Sequence, residues 1–223
     1  MPKEHCRRDL MSEKDKAAFS LAALEKLAGR TAGEIGSVSR FAVAIPLVEK
    51  EDGLYVLFEL RSPDLDRQPG EICLPGGARE GDESAEETAL RETAEELLVD
   101  RSQLRVIAPM DTLRTCYRNE IRAFLCELKN YKDTWSKDEV AEVFAVPLQF
   151  FLDTEPDCYT NELRVVMQDD FPFDKIPGGK DYPWHPMHDM VYFYYYDQWV
   201  IWGLTAKIMR AAAKVIREAL SLR

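Results

Sequence analysis

The chain has 223 residues, of which 46% are hydrophobic, and its formal net charge at pH 7 is −11. This length can bury a substantial core, and the acidic balance argues against binding nucleic acid or an anionic membrane through bulk electrostatics. No apolar run approaches the roughly 20 residues of a membrane-spanning helix, the N-terminus lacks the apolar stretch of a signal peptide, and five cysteines without a CxxC pair predict reduced thiols in a cytoplasmic protein.

The N-terminal third of the chain shows one helical pattern and two strand patterns. Residues 12–30 have the amphipathic periodicity of a helix. Residues 40–48 and 54–61 are rich in β-branched and aromatic side chains, and the turn residues 51–53 between them predict two neighbouring strands. A loop rich in proline, aspartate and glycine, residues 62–77, follows them.

The remaining elements alternate between helices and strands. Ser84 and Glu87 have the spacing of a capping box, which predicts a helix from about residue 84 to residue 98. The later strands are predicted at 104–110, 121–128, 163–168 and 191–197, with a short strand and a helix around Pro147. The last two strands are expected to pair across a Pro- and Gly-rich insertion, 169–190.

This order predicts a single α/β domain over residues 1–223. Its parts are an N-terminal helical extension (1–37), a core (38–200) and a C-terminal helix (201–223). Lys180, Tyr182 and Trp184 in the insertion could cover a nucleotide or its 3′-phosphate, and packing against the C-terminal helix is the alternative. Trp199 and Trp202 are expected in the core.

The helix predicted after Ser84 gathers negative charge. Eight acidic residues lie between Glu80 and Glu96, with a single arginine among them. At about 100° per residue, Glu92, Glu95 and Glu96 share one narrow stripe, and apolar residues occupy the other side. An amphipathic helix with a solvated acidic face also explains this pattern, so the stripe alone does not require a function.

Two further features favour a metal site over a solvated helix face. Ala85 and Ala89 continue the carboxylate stripe towards the N-terminus and leave that side of the helix sterically open. The Gly76-Gly77 turn before the helix lets backbone groups approach a ligand closely. Clustered carboxylates with an open approach suit Mg²⁺, or Mn²⁺ in its place, because such a cation takes oxygen ligands and keeps positions for water and phosphates.

The spacing of these residues resembles the Nudix box. Gly77 is followed after five residues by Glu83, and after seven more by the run Arg91–Glu96. The resemblance implies a Nudix α/β/α sandwich with a mixed sheet and N- and C-terminal helices, and hydrolysis of a nucleoside diphosphate linked to another moiety. It assigns the metal to the Gly77 carbonyl, Glu92, Glu95 and Glu96, and the orientation of the glutamates to Arg91.

Two positions depart from the Nudix pattern. Thr93 stands where an aliphatic residue is expected, and Leu98 stands where a glycine usually ends the helix in the left-handed conformation. Neither position supplies a metal ligand, so the expected chemistry does not depend on them. A leucine disfavours the left-handed conformation, which leaves the form of the helix exit open.

The segment before the box, LFELRSPDLDRQPGEICLPGG, resembles the motif of coenzyme A pyrophosphatases. That motif runs roughly Leu-Leu-Thr-x-Arg-Ser, a later Arg, a Gly, then Phe-Pro-Gly-Gly. Leu74 replaces the phenylalanine, and Asp66 stands at the later arginine, with Arg67 one place further on. The residues that the resemblance assigns to substrate binding are Arg61, Ser62, Arg67 and Gly76. An arginine fork suits this role because it matches the geometry of phosphate.

Hydrolysis also needs a general base within hydrogen-bond reach of the attacking water. The resemblance offers a glutamate of the box or one from a later loop. Glu139 and Glu142 are the candidates for the later position, and we favour Glu139. Both residues also fit the description of solvated carboxylates beside a strand.

These patterns lead to three functional hypotheses. The first is a Nudix hydrolase that uses Mg²⁺ or Mn²⁺ to split coenzyme A or its derivatives. An ADP-ribose or dinucleotide pyrophosphatase is the alternative that the irregularity at Asp66 and Arg67 leaves open. A non-catalytic nucleotide sensor is the third, and the intact glutamates of the box argue against it. The expected partner is a small nucleotide, with neither nucleic acid nor membrane, and a homodimer is left open.

Overall fold

A computed structural model describes residues 24–31, 35–36 and 38–221. The chain separates into two units, Met1–Ser37 and Val38–Arg223. The described part of the first unit contains a 3₁₀ helix, Glu25–Leu27. Most of the helix predicted over residues 12–30 lies outside the described residues, and the single-domain organisation stays a prediction.

An eight-stranded mixed sheet forms the centre of the second unit. Its strands are β1 (Ser39–Lys50), β2 (Gly53–Arg61), β3 (Ile72–Cys73), β4 (Gly76–Ala78), β5 (Leu104–Pro109), β6 (Leu113–Arg114), β7 (Asn119–Leu128) and β8 (Val140–Pro147). The long strand β1 is parallel to β7 and antiparallel to β2 and β4. Strand β8 is antiparallel to β2.

Three α-helices and a smaller sheet complete this unit. The helices are α1 (Ala85–Glu96), α2 (Leu148–Asp153) and α3 (Gly203–Ala219). The smaller sheet is antiparallel and contains β9 (Asp157–Leu163), β10 (Met187–Tyr196) and β11 (Trp199–Trp202). Short 3₁₀ helices lie at Arg101–Gln103, Phe173–Lys175 and Gly179–Asp181.

The large sheet buries apolar side chains on both faces. Alternate residues of a strand point to opposite faces, so Ala44 of β1 packs in one core with Leu90 of α1, whereas Ile45 packs in a second core with Met209 of α3. We call these the α1 face and the α3 face. Helices on both faces of a mixed sheet confirm the predicted α/β sandwich.

The smaller sheet corrects the prediction for residues 157–190. The strand predicted at 163–168 is wrong, because β9 ends at Leu163 and the next five residues form neither strand nor helix. Strand β9 is nearly all exposed and holds its place by backbone pairing with β10, so hydrophobicity does not mark it. Strand β10 begins at Met187, inside the predicted insertion.

The two tryptophans of β11 lie on opposite faces of the smaller sheet. Trp199 stacks on Phe144 at a ring distance of 4.0 Å and packs against the core, as predicted. Trp202 is 43% exposed and stacks on Phe193 at 5.8 Å, so its predicted place in the core is wrong. In the insertion, Tyr182 and Trp184 lie side by side with their rings 4.7 Å apart.

Candidate active site

Helix α1 begins with the predicted capping box. The Ser84 hydroxyl accepts a hydrogen bond from the Glu87 amide at 3.2 Å, and the Glu87 carboxylate accepts one from the Ser84 amide at 2.7 Å. The buried residues Ala89 and Leu90 hold the helix against the α1 face of the sheet. The cap and this apolar side fix the rotation of the helix, and therefore the direction of its carboxylates.

The chain leaves helix α1 at Leu98 in the way that a chain with a glycine at this position would. Leu98 adopts the left-handed conformation with φ at +50°, and the Val99 amide donates to the Ala94 carbonyl at 3.1 Å. This is the six-to-one hydrogen bond of a Schellman motif, so the helix ends where a glycine would end it. Thr93, the other departure from the Nudix pattern, is buried. Its hydroxyl donates a hydrogen bond to the Ala89 carbonyl at 2.6 Å, so the polar group is paired inside the core.

Two hydrogen bonds connect the end of α1 to a later loop. The Thr134 hydroxyl donates to the Leu97 carbonyl at 2.8 Å, and the Ser136 amide donates to the Glu96 carbonyl at 2.7 Å. Both satisfy carbonyls that the helix leaves unpaired at its C-terminus. They also bring the loop that carries Glu139 next to the last turn of α1.

Arg91 gathers the outer carboxylates of the site. Its guanidinium contacts Glu83 through Nε at 2.8 Å, Glu92 at 3.0 Å and Glu95 at 3.1 Å. The hydrogen bonds from Arg91 lower the pKa of Glu83 to about 2. Arg91 therefore contacts two of the predicted metal ligands, Glu92 and Glu95. This contact agrees with the orienting role that the resemblance assigns to Arg91. We call Arg91, Glu83, Glu92 and Glu95 the outer group.

Gly77 lies directly beneath Glu92. It pairs with Ala42 across β4 and β1, and a Cβ atom added to Gly77 would come within 2.4 Å of the Glu92 carboxyl carbon. A glycine here lets the carboxylate settle against the strand backbone. Burial raises the pKa of Glu92, opposed by Arg91.

Glu96 is buried, with 3% of its surface exposed. Its Oε2 accepts a hydrogen bond from the Gly76 amide at 2.8 Å. Burial raises its pKa to about 8, although the Gly76 hydrogen bond opposes the shift. The Gly76 amide therefore holds a glutamate, which is a different contact from the substrate contact that the resemblance assigns to Gly76.

Glu59 is a site residue that the sequence reasoning missed. It is 1% exposed on β2, and strand alternation places it on the α1 face with Leu57. Burial raises its pKa well above the ordinary range, and repulsion from Glu96 adds to the shift. A carboxylate inside the apolar strand VLFEL was the available signal. We call Glu59 and Glu96 the inner pair.

Arg61 and Gly77 line one cavity of about 300 Å³. The attraction of Arg61 opposes the rise in pKa of both Glu59 and Glu96, so its charge acts on the inner pair. Gly77 contacts Glu92 as described above. These two residues therefore link the cavity to both groups of carboxylates. Most of the other lining side chains are apolar, among them Phe41, Val43, Ile121, Trp202, Leu204 and Ile208.

Two residues assigned to substrate lie elsewhere. Arg67 lines a separate surface depression together with Arg40 and Arg79, and only its backbone carbonyl meets Arg61, accepting from Nε at 3.4 Å. Ser62 is buried, and its amide donates to the Glu139 carbonyl at 2.8 Å. Ser62 thus ties the Glu139 loop to the end of β2.

The two candidate bases face in different directions. Glu139 lies in the turn before β8, and its negative charge raises the pKa of Glu92 and Glu96. Glu142 pairs with Leu60, and cross-strand partners point to the same face of a sheet. Because Leu60 packs in the core of the α3 face, Glu142 points away from α1.

The donor chemistry of the site fits a hard divalent cation. Across residues 24–31, 35–36 and 38–221, no three His, Cys, Asp or Glu side chains converge tightly enough to hold a metal as they stand. Glu92 and Glu95 are ion-paired with Arg91 instead. The nearby donors are nevertheless oxygen atoms, and one of them, Glu59 Oε1, is buried without a hydrogen-bond partner among the described residues. Unpaired carboxylate oxygens are the ligands that such a cation prefers.

The fold and this site fit a class of enzymes with an α/β/α sandwich that hydrolyse phosphoric anhydrides. The NUDIX domain model matches residues 38–169, and the chain belongs to the Nudix family. Members of this family generally use divalent metal ions. Both the recognised family and the expected hydrolase class are confirmed.

Several curated proteins are similar over most of the chain. Peroxisomal coenzyme A diphosphatase NUDT7 of Mus musculus is 32% identical over 195 residues, which cover 82% of this chain and 72% of the mouse protein. Nudix hydrolase 22, chloroplastic, of Arabidopsis thaliana is 30% identical and covers 79% of this chain. Nudix hydrolase 15, mitochondrial, of the same plant is 33% identical and covers 80%. The chain spans only 55% and 59% of the two plant proteins.

A solved structure of a MutT/nudix family protein from Enterococcus faecalis aligns with a TM-score of 0.47 and 16% identity, covering 95% of this chain and 75% of that chain. A likeness of this strength does not bear on function. Among the described helices, none has the length and apolar character needed to cross a membrane. Since the names of the relatives point to peroxisome, chloroplast and mitochondrion, the cytoplasmic location stays a prediction.

Proposed function

We propose that the chain is a Mg²⁺-dependent pyrophosphohydrolase of coenzyme A or its derivatives, with Mn²⁺ as a substitute cation. The products would be 3′-phosphoadenosine 5′-phosphate and 4′-phosphopantetheine. The proposal rests on one observation, the cavity whose wall Arg61 and Gly77 share. None of the site glutamates lines the cavity itself, but the charge of Arg61 acts on Glu59 and Glu96, and Gly77 lies against Glu92.

The lining of the cavity favours a substrate with a partly apolar arm. Arg61 offers a planar guanidinium for a phosphate, while Phe41, Ile121 and Leu204 give the same cavity apolar walls. A pantetheine or acyl-pantetheine arm has apolar segments that suit such walls, whereas the second ribose of ADP-ribose would bring hydroxyl groups there. A volume of about 300 Å³ is at the lower end of the range for ligand pockets.

Two further observations support the same substrate. The mouse relative, which is named a coenzyme A diphosphatase, is 32% identical to the chain. The residues Arg61, Ser62, Gly70, Gly76 and Gly77 also match the motif that precedes the Nudix box in coenzyme A pyrophosphatases.

Each residue near the cavity has a separate role in this proposal. Glu92, Glu95 and Glu96 hold the cation together with the Gly77 carbonyl, and Arg91 positions the first two. Arg61 binds the diphosphate. Ser62 and Gly76 position Glu139 and Glu96 through their amides. When bound, the cation would neutralise phosphate charge and acidify a water molecule.

Glu139 is the proposed general base. Its charge acts on Glu92 and Glu96, and its loop is tied to the last turn of α1. We expect Glu139→Gln to lower kcat at least about a hundredfold, in the range typical of a lost general base. The matched variant Glu142→Gln, on the α3 face, should keep most of the activity. The reverse result would assign the base to Glu142.

A substrate panel tests the proposed function. The full chain is assayed with Mg²⁺ or Mn²⁺ on coenzyme A, acyl-coenzyme A, ADP-ribose, NADH and diadenosine polyphosphates. We expect release of 3′-phosphoadenosine 5′-phosphate, with a kcat/KM for coenzyme A well above that for ADP-ribose. Absence of this product would refute the proposal, and a preference for ADP-ribose would establish the alternative enzyme.

A further inference from the structure

We propose that Glu59 supplies an additional carboxylate oxygen to the divalent cation held at the end of α1. This inference rests on the proposed function only for the existence of a cation site, and it holds for any Nudix substrate. The coenzyme A pyrophosphatase motif described above has a threonine at this position, so the motif itself does not supply this carboxylate.

The first observation is an unpaired buried oxygen. Glu59 is 1% exposed, and its Oε1 makes no hydrogen bond within the part of the chain that the structure describes. Buried polar atoms in folded proteins are nearly always paired, because an unpaired one loses its water without compensation. An acceptor in this position therefore points to a ligand.

The second observation is the position of this oxygen beside Glu96. Strand alternation turns Glu59 towards α1, where its carboxyl group lies within hydrogen-bonding reach of Glu96. The two groups repel each other when both are charged. Glu96 is fixed by the Gly76 amide, which holds its carboxylate at the start of β4. Two neighbouring carboxylates with little exposure form a place where a cation would relieve the repulsion.

The donors around Glu59 leave its Oε1 without a hydrogen bond among the described residues. The Cys73 thiol lies 3.9 Å from the other oxygen, Oε2, and a thiol is a weak donor. Arg61 attracts the inner pair, but its Nε donates to the Arg67 carbonyl. A hard divalent cation takes carboxylate oxygens and thus matches what this position offers.

Cation binding to the metal-free protein tests the inference without using activity. Chelator-treated full chain is titrated with Mn²⁺ alone, and the loss of the free Mn²⁺ signal in electron paramagnetic resonance measures binding. The variants are Glu59→Gln, which keeps the shape of the side chain, and Glu59→Thr, which restores the residue of the motif. Glu49→Gln, an exposed carboxylate on β1, is the matched control. Thermal unfolding of each metal-free variant shows that it is folded.

We expect both Glu59 variants to bind Mn²⁺ at least about tenfold more weakly than the wild type, since even indirect contacts to a metal carry tenfold or larger effects. Glu49→Gln should bind as the wild type does. Unchanged Mn²⁺ binding in a folded Glu59 variant would overturn the inference and leave a proton shared with Glu96 as the explanation.

The two proposals fail separately. If coenzyme A gives no product while Glu59→Gln still weakens Mn²⁺ binding, the inference stands and the proposed substrate is wrong. If coenzyme A is split and Glu59→Gln binds Mn²⁺ as the wild type does, the substrate proposal stands and Glu59 is not a ligand.

Discussion

The outer group and the inner pair show how the same residue type acquires opposite properties within one site. In the outer group, Arg91 pairs with Glu83, Glu92 and Glu95, and these side chains are between 18% and 60% exposed. In the inner pair, Glu59 and Glu96 are 1% and 3% exposed. One arginine offsets part of the negative charge of the first group. The second group is buried, and its two carboxyl groups repel each other when both are charged.

This difference indicates a division of work between the two groups. Ion pairing lets the outer group hold its geometry without a ligand. The inner pair is held in place by packing and by the Gly76 amide in spite of mutual repulsion. Strongly shifted carboxylates that are buried beside a cavity are typical of functional sites. The inner pair is therefore where a cation should have its largest effect.

Removal of the Glu96 charge should have the largest effect on activity if the inner pair binds the cation. Glu96→Gln keeps the side-chain shape and can still accept from the Gly76 amide, so the fold should survive. Because even indirect metal contacts carry effects of about 10- to 100-fold, loss of a proposed ligand should lower kcat at least about a hundredfold. Steady-state assays with saturating Mg²⁺ measure the change, and circular dichroism checks the fold. Activity near that of the wild type would remove Glu96 from the cation site.

Alanine substitutions at the adjacent glycines Gly76 and Gly77 should have different effects. One should change the geometry of the site, and the other should change the stability of the fold. A Cβ on Gly77 would collide with the end of the flexible Glu92 side chain, so Gly77→Ala should displace that carboxylate with little loss of stability. We expect an activity loss of about tenfold, of the size seen for altered metal contacts. An alanine at 77 that leaves kcat unchanged would show that the contact with Glu92 is unimportant.

The matched variant Gly76→Ala should act on the fold instead. Its Cβ would lie 2.3 Å from the Ala42 carbonyl oxygen, and φ at Gly76 is +151°, a conformation that favours glycine. Steric overlap and backbone strain together should lower the free energy of unfolding by about 3 kcal/mol. Chemical denaturation measures the change, and equal stability of the two variants would contradict this reading.

The sequence predicted the outer group much better than the inner pair. The capping box, the Nudix spacing and the contacts of Arg91 depend on residues close together in the chain, and local spacing determines which of them meet on a helix. Glu59 meets Glu96 only because the fold brings β2 close to the last residue of α1. That contact depends on tertiary structure, so the motif comparison passed over a glutamate at a threonine position.

The same limit explains the remaining differences. The side chain of Arg67 lines another depression, because the loop after β2 places only its carbonyl near Arg61. The side of the sheet to which Glu142 points follows from its pairing with Leu60. This strand register cannot be read from the sequence alone. Strand β9 is an exposed edge formed by pairing alone, and a hydrophobic pattern cannot reveal such a strand.

The pH dependence of stability tests the ion pair between Glu83 and Arg91 in the outer group. The pKa of Glu83 is lowered from 4.5 to about 2, chiefly by hydrogen bonds from Arg91. A lowered folded-state pKa stabilises the protein above pH 4.5, and this contribution is lost as the pH falls towards 2. The Tm difference between the wild type and Glu83→Gln should therefore be constant near neutrality and shrink below pH 4.5. Thermal melts between pH 7 and pH 3 measure it.

The matched control for this series is Glu86→Gln, which removes an exposed carboxylate from the first turn of the same helix. Its Tm difference from the wild type should be smaller than that of Glu83→Gln at neutral pH. A Glu83 effect that does not change with pH would mean that the variant disturbs packing rather than charge.

Leu98 lies just beyond the inner pair and tests whether the helix exit contributes to the site or only to stability. Its side chain is 60% exposed, and its φ of +50° is strained for leucine but not for glycine. Leu98→Gly should therefore raise the free energy of unfolding by about 1 kcal/mol, or the Tm by roughly 2–4 °C, with kcat unchanged. Leu98→Ala removes the same side chain but keeps the strain, so it should bring no gain. If both variants lose stability, the exposed leucine side chain contributes contacts that outweigh the strain. If Leu98→Gly also lowers kcat, the helix exit positions Glu96, and the inner pair depends on the last turn of α1 as well as on the Gly76 amide.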